Sequence, residues 1–421
     1  MVWFSVLHIT LPVPLSEKLT NFCKVIDFVQ QHEFANPQEL LLKKHRYSDI
    51  PVQEAALQIQ ARQKAKSKLP SWFAIPTICY PSLLSLEQCS SESTALFKAR
   101  LLSGNTLMDL TGGMGVDTAA FSQQFEKVFY IEQNPELCEV TRYNFEQLGI
   151  TNVQHISATS ETWLSSFSQH VDWIYIDPAR RNEAGGKVVR LQDCVPDILG
   201  LKDILFSKAS HLLLKASPML DIDLATNELK NVVKVYVVAV ENEVKELLFH
   251  LMEAFNGEPE IETVNLNKSG RTISSFQFYR SLEGNSEVSF TLPQTYLYEP
   301  NAVVLKAGAF RSVASLFSIN KIHSNSHLYT SESLQADFPG RIFKIVAISK
   351  LDKKELQSFL PEGKANISVR NFPMSVADIR KKTGIRDGGN KYLFATTDCQ
   401  NRKIVLVCEK LVCENIDTIQ E

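Results

Sequence analysis

The stretch LMDLTGGMGVD, Leu107–Asp117, decides how this chain is read. An apolar run ends in an acid, Asp109, and a glycine-rich turn follows with Gly112, Gly113 and Gly115 before a helix begins near Asp117. A buried strand that turns tightly into a helix is the opening of a βαβ unit. Glycine lets the backbone approach a ligand closely and take up positive φ. In open parallel sheets, ligands bind beyond the carboxyl ends of the strands. The turn is therefore the expected ligand site, with Asp109, Thr111, Gly112, Gly113, Gly115 and Asp117 forming it.

The next residues outward bear on which ligand. A dinucleotide site calls for G-x-G-x-x-G with a pyrophosphate on the helix N-terminus. Gly113-x-Gly115 lacks the third glycine, because Thr118 stands there, and Asp109 would set a negative charge near that pyrophosphate. No Gly-Lys-Ser/Thr follows, which excludes a P-loop. An acid before the glycines suits a cationic amino group, such as that of S-adenosylmethionine. Downstream, the strand VFYIE ends in Glu132, where a carboxylate can accept both ribose hydroxyl hydrogens. Ser157 and Ala158 follow the third strand, where the adenine would lie. The fourth strand, WIYI, ends in Asp177-Pro178-Ala179-Arg180.

Strands are expected at Thr106–Leu110, Lys127–Ile131, Val153–Ile156, Trp173–Ile176, His211–Lys215, Val232–Val240 and Ser274–Tyr279, the last pair close to antiparallel. Helices are expected to begin near Asp117, Pro135, Ser160, Asp197, Asp221 and Val244. Alternation of this kind implies parallel strands with crossover helices, a doubly wound α/β sheet. Before it, residues 16–100 read mostly as helix, including Val52 to Lys68 up to Pro70. Arg62, Lys64, Lys66 and Lys68 there read either as a solvated helix end or as a polyanion contact. After it, Gly340–Ser349 through Lys403–Glu409 reads as strand, helix, strand, helix, strand, strand, a small α+β unit. The expected domains are 1–95, helical; 96–282, the sheet; 283–325, a small domain; and 326–421, a second α+β unit.

A chain of 421 residues with 44% apolar and 22% charged side chains has ordinary globular composition. At roughly 100–200 residues per domain it holds about two to four domains. No apolar run is long enough to span a membrane. The first residues lack a basic start and carry Pro12 and Pro14, unlike a signal peptide. None of the eight cysteines forms C-x-x-C and no histidine cluster stands near them, so neither a metal site nor a disulfide framework is expected, and a reducing cytoplasm fits. Residues 1–95 carry 9 basic and 8 acidic side chains, residues 96–300 carry 17 and 27, and residues 301–421 carry 18 and 12. The basic end is where a polyanion would be gripped.

With these residues in place, the chain resembles the class I S-adenosylmethionine-dependent methyltransferases. Its Asp-Pro pair resembles the (Asp/Asn)-Pro-Pro-aromatic motif of the amino-methylating members. That resemblance implies that Asp177 and the Pro178 turn orient a target nitrogen, catalysis largely by positioning. Ala179 replaces the second proline and Arg180 the aromatic, so Arg180 is expected on the substrate. Several stretches resemble a bacterial class I group with a THUMP-like C-terminal domain: KLPSW at 68–72, SLEQCSSESTALFKA at 85–99, DLTGGMGVD at 109–117 and DPARRNEAGGKVVRLQDCVPD at 177–197. KASPMLDI at 215–222, YLYEPNAVVLKAGAF at 296–310 and RNFPMSVADIRKKTGIRDGGNKYLFATT at 370–397 continue the series. The resemblance implies a Rossmann-like seven-stranded sheet with an N-terminal helical region, a ferredoxin-like small domain and a THUMP-like unit. It also implies modification of structured RNA, tRNA or rRNA.

Substrate contacts are expected from two basic groups. Arg181, Lys187 and Arg190 follow the Asp-Pro turn around Gly185-Gly186, and Lys215 ends the fifth strand, where it contacts substrate or pairs with Asp177 or Asp221. At the end domain, Arg370, Arg380, Lys381 and Lys382 combine with Phe372 and Gly388-Gly389, a composition that suits a phosphate backbone. Three readings remain open: an RNA methyltransferase, a methyltransferase of a protein or small molecule, and a cofactor-sensing RNA-binding protein without chemistry.

Overall fold

The computed structural model describes residues 16–180 and 190–411, with Arg180 by its backbone alone. The described residues form two compact units: those up to Asn231 with His250–Phe255 and Ser269–Arg271, and Val232–Phe249 with Asn256–Lys268 and those from Thr272 onward.

In the first unit, strands β1 (Thr106–Asp109), β2 (Lys127–Glu132), β3 (Val153–Ser157), β4 (Val171–Ile176) and β5 (Ala209–Ala216) run parallel in the order β3-β2-β1-β4-β5. The strand order reverses at β1 and β4, which opens a crevice at their carboxyl ends. Val128–Ile131 and Trp173–Ile176 are buried throughout, as continuous apolar runs covered on both faces must be. The crossover helices Pro135–Gln147, Ser160–Ser166, Ile198–Phe206 and Ile222–Leu229 begin where expected, because Asn134, Thr159, Asp197 and Asp221 each accept a hydrogen bond from a first-turn N–H. Such a cap contributes about 1 kcal/mol.

Ahead of the sheet, helices Glu17–Gln31 and Val52–Lys68 bury Leu19, Phe22, Val25, Val29, Ala55 and Ile59 against Val140 of helix Pro135–Gln147. Helix Glu92–Leu101 leads into β1. The basic residues of Val52–Lys68 are occupied within the chain. Arg62 is buried and binds Glu33 and the carbonyls of Phe73 and Ile75. Lys64 pairs with Glu87, Lys66 lies over the rings of Phe34 and Phe73, and Lys68 donates to the carbonyls of Leu86 and Glu87.

The second unit contains β6 (Val232–Val240), all but the last residues of β7 (Glu243–Met252), β8 (Glu260–Leu266) and β9 (Thr272–Phe278), in the order β9-β8-β6-β7. β8 is parallel to β6 and antiparallel to β9, so it separates the two strands expected as a last pair. All seven expected strands are present, and β7 and β8 are additional. The helix expected near Val244 is instead β7. Glu241 and Asn242 both have positive φ (52° and 64°), a two-residue turn that folds the chain back as a hairpin.

A second sheet follows, from β10 (Tyr296–Pro300), β11 (Asn320–Lys321), β12 (Tyr329–Ser331), β13 (Gly340–Ser349), β14 (Asn366–Arg370), β15 (Lys391–Thr397) and β16 (Lys403–Lys410). Its order is β11-β12-β10-β13-β16-β15-β14, and only β14 and β15 are parallel. Helices Lys353–Phe359 and Val376–Thr383 pack Leu356 and Ile379 over Leu393, Ala395, Val405 and Val407.

Candidate active site

The crevice between β1 and β4 brings the glycine turn against the Asp177 loop. The Asp177 N–H donates to Thr111 Oγ1 at 2.6 Å, and the Leu110 N–H to the Tyr175 carbonyl at 3.0 Å. Each glycine has its own reason. A Cβ on Gly112 would lie 2.2 Å from Tyr130 Cε2, and one on Gly115 (φ 80°) 2.6 Å from Thr141 Cγ2. Gly113 (φ 54°) faces open space: beyond its chain neighbours, a Cβ there would meet among the described residues just Thr111 O, at 3.7 Å. Its carbonyl is held from behind by the hydroxyls of Tyr130 (2.6 Å) and Thr141 (3.2 Å).

Glu132, at the end of β2, accepts the Gly113 N–H at 2.9 Å and the Asn134 N–H at 2.8 Å. Its carboxylate thus stands beside the open face of the turn. Ser157 is exposed opposite Glu132 in the ladder, and the Ala158 N–H donates to the Glu132 carbonyl at 3.1 Å.

Two acids expected on the ligand are directed elsewhere. Asp109 is buried, and it accepts the Thr111 N–H at 3.0 Å and the Thr118 hydroxyl at 2.6 Å. Burial raises its pKa to about 7, against the opposing effect of those hydrogen bonds. It shapes the turn from within. Asp117 accepts the hydroxyls of Ser90 (2.8 Å) and Tyr175 (2.7 Å) and pairs with the fully buried Lys98 at 3.2 Å. Burial alone would raise its pKa, but Lys98, Lys215, Tyr175 and Ser90 together hold it below the usual carboxylate range. Ser90, Lys98 and Tyr175 were not singled out as site residues. Ser90 and Lys98 stand in the SLEQCSSESTALFKA stretch, but only proximity to Asp117 in space gives them a task.

Asp177 pairs with Lys215 at 2.5 Å, the first of the partners considered for that lysine. Beside this pair, Pro178, Arg190, Leu191, Cys194, Lys215, Ala216, Ser217 and Leu220 line a pocket. The short ladder of Ala179–Arg180 with Cys194–Val195 brings Arg190 back to Pro178. Arg181 and Lys187 lie outside the described residues, as does the side chain of Arg180.

A solved structure decides the family. Over 95% of this chain and all of the other, it matches the crystal structure of a "putative methyltransferase" from Porphyromonas gingivalis W83 at 33% identity and TM-score 0.84. The chain belongs to that methyltransferase family. Residues 93–192 match the family described as "Conserved hypothetical protein 95", residues 296–339 a ferredoxin-like domain and residues 340–410 a THUMP-like domain. A curated Sulfolobus acidocaldarius protein, "Probable cobalt-precorrin-6B C(15)-methyltransferase (decarboxylating)", is 30% identical over 92 residues, 21% of this chain and 48% of that protein. The chain thus spans about half the length of that curated relative. A Streptococcus mutans "putative methyltransferase" in complex with SAH is 17% identical over 38% of this chain and 96% of its own, with TM-score 0.29.

In the THUMP-like unit, the expected RNA contacts divide. Arg380 binds the carbonyls of Ala365 and Ile385 and pairs with Asp387, so it fastens its own helix end. Arg370 pairs with the buried Glu299 at 3.0 Å. Lys381 and Lys382 are exposed on the last turn of helix Val376–Thr383. Among the described residues, no group of three or more His, Cys, Asp or Glu could hold a metal ion, and no helix is long and apolar enough to cross a membrane.

Proposed function

We propose that this chain transfers a methyl group from S-adenosylmethionine to a nitrogen of a nucleotide in structured RNA, tRNA or rRNA. The observation that carries the reading is the turn at Gly113. Its Cα faces open space while Glu132 binds its N–H, and Thr111 ties the same turn to Asp177. These residues fit the cofactor: the open backbone takes the amino-acid portion and Glu132 the ribose hydroxyls. Ser157 and Ala158 border the adenine. Asp109 supports the turn from beneath rather than touching the ligand.

The bound cofactor supplies an electrophilic methyl group. The chain's own part is positioning, which can account for a large share of rate enhancement. Lys215 and the Thr111 hydroxyl fix Asp177, whose carboxylate accepts an N–H hydrogen bond from the substrate and aims the nitrogen lone pair. Pro178 stiffens the wall, Arg190 and Lys215 offer cations at the pocket, and Arg180, Arg181 and Lys187 are assigned to the substrate side. The basic C-terminal part with its THUMP-like unit supports RNA as the substrate.

Calorimetric titration with S-adenosylmethionine and S-adenosylhomocysteine, with Gly113→Arg as control, tests the cofactor. Micromolar binding that the control abolishes is expected. RNA from a strain lacking the gene should then accept methyl groups, and acceptance that survives RNase would refute RNA as the substrate.

A further inference from the structure

In the first unit, the loop between helices Glu17–Gln31 and Pro37–Leu42 is clamped onto helix Val52–Lys68. Gln63 Nε2 donates to the carbonyls of Glu33 and Ala35, both at 2.9 Å. Arg62 donates to Glu33 Oε1 from Nε at 3.1 Å and from Nη2 at 2.9 Å. The Ala35 N–H returns to the His32 carbonyl at 2.9 Å, and the Asn36 side chain caps the next helix. Between the two carbonyls held by Gln63 stands Phe34, 78% exposed. A phenyl ring in water forgoes the gain of burial. Here the backbone that presents it is fixed on both sides, so the ring is not free to fold inward. Lys66 Nζ lies over it, 5.6 Å from the centroid.

The same loop meets a basic turn. His32 stacks on Phe28 with ring centroids 4.0 Å apart and lies 6.4 Å from Tyr47, whose ring is 5.1 Å from Phe28. Tyr47 directly follows the one-turn 3₁₀ helix Lys44–Arg46, whose three side chains are exposed. The acids on these segments are engaged. Glu33 is bound by Arg62, Glu39 pairs with Lys43 at 3.2 Å, and Asp49 accepts the Ser48 hydroxyl. Among the described residues, Lys44, Arg46 and Lys66 have no ion-pair partner. The ring contacts of Lys66 leave its charge unneutralised. A rigidly presented aromatic ring thus shares one surface with a surplus of positive charge.

We propose that Phe34 is a stacking platform for an unpaired base of RNA, with Lys44, Arg46 and Lys66 on the flanking phosphates. Every base offers a π face to an aromatic side chain, so such a platform holds a strand without reading its sequence. Cations that no acid neutralises gain by displacing the counterions of a phosphate backbone. The exposed Leu41 and Leu42 would serve a protein partner equally well, but the unpaired cations favour a polyanion. The inference rests on the RNA reading above. It adds a second place, built from other residues than those of the Asp177 crevice, where the strand is held.

The full-length protein is titrated with unfractionated tRNA and with a fluorescein-labelled oligouridylate over a range of salt concentrations. The wild type should bind both. Phe34→Ala should weaken oligouridylate binding about 5- to 150-fold, the loss of one base–aromatic stack, with the log–log salt slope unchanged. Phe34→Leu, which keeps an apolar side chain without the ring, should lose as much, and Phe34→Trp should bind like the wild type. Lys44→Gln and Arg46→Gln should each reduce the slope by about 0.7. All three side chains are exposed, so melting temperatures should stay at the wild-type value and separate lost binding from lost fold. Wild-type affinity in Phe34→Ala overturns the platform. Wild-type affinity in Phe34→Leu overturns stacking in favour of an apolar contact. Unchanged slopes in the Lys44 and Arg46 variants overturn the phosphate contacts. If the wild type binds neither RNA, the RNA reading fails and the platform with it. If tRNA binds and no variant weakens either RNA, the RNA reading stands and the platform is overturned.

Discussion

Gly112→Ala tests how the glycine turn is built. The added methyl would lie 2.2 Å from Tyr130 Cε2, 2.5 Å from Cδ2 and 2.7 Å from Cζ. The ring cannot swing aside, because Tyr130 is fully buried in β2, between β1 and β3. Overpacking of this kind costs about 1–3 kcal/mol. Displacing the ring also breaks the bond from its hydroxyl to the Gly113 carbonyl, worth about 1 kcal/mol. The expected loss is about 2–4 kcal/mol, a fall in melting temperature of roughly 4–16 °C for a unit of this size. Gly113→Ala makes the contrast. Its methyl meets only Thr111 O at 3.7 Å, so the cost is the left-handed backbone, about 1–2 kcal/mol. That methyl stands on the open face assigned to the cofactor, so affinity for S-adenosylmethionine should fall more than stability does. Scanning calorimetry and ligand titration of both variants separate the effects. A Gly112→Ala protein that melts with the wild type would show that Tyr130 yields freely, and the packing argument would be wrong.

Lys98→Met should destabilise the first unit by about 3–5 kcal/mol in urea unfolding, because it leaves the buried Asp117 without its ion pair; a loss below about 1 kcal/mol would place the weight on Ser90 and Tyr175 instead. Asp109 has a pKa raised by burial from 3.8 to about 7, so its contribution to stability is fully present below about pH 4 and is lost as pH rises toward 7. Asp109→Asn should flatten stability across that window, and an unchanged pH profile would mean that another group carries the slope. Asp177→Ala should abolish methyl transfer while binding S-adenosylmethionine within a few fold of the wild type, and wild-type turnover in that variant would remove Asp177 from the mechanism.

The parallel core and its helix starts were legible because both are local. Asn134, Thr159, Asp197 and Asp221 are capping residues placed directly before helix formers, and the strands of the first unit are unbroken apolar runs. The segment from Glu243 misled for a physical reason. Glu, Lys and Leu are good helix formers, and the signal that overrides them is two positive-φ residues, Glu241 and Asn242, with no glycine to mark the turn. The basic residues of the THUMP-like unit looked equivalent in sequence, yet Arg380 fastens its own helix and Arg370 faces Glu299, a residue 71 positions away.

The acids of the glycine turn show how far pattern alone reaches. Asp109 precedes the glycines, so its charge was assigned to the ligand. The strand carries the side chain inward instead, where it takes the N–H of Thr111 and the hydroxyl of Thr118. Thr118 is the residue that spoils the dinucleotide motif, so the departure that argued against one ligand is also what satisfies the buried acid. Asp117 repeats the logic over a longer range. It joins Ser90 and Lys98, from the segment preceding β1, to Tyr175 at the end of β4. Two residues beyond Tyr175, Asp177 returns to the turn through Thr111. The segment from Ser90 to Lys98 is thus part of the frame that sets the distance between the glycine turn and Asp177, which is why a substitution at Lys98, remote from any ligand, should register in both stability and turnover.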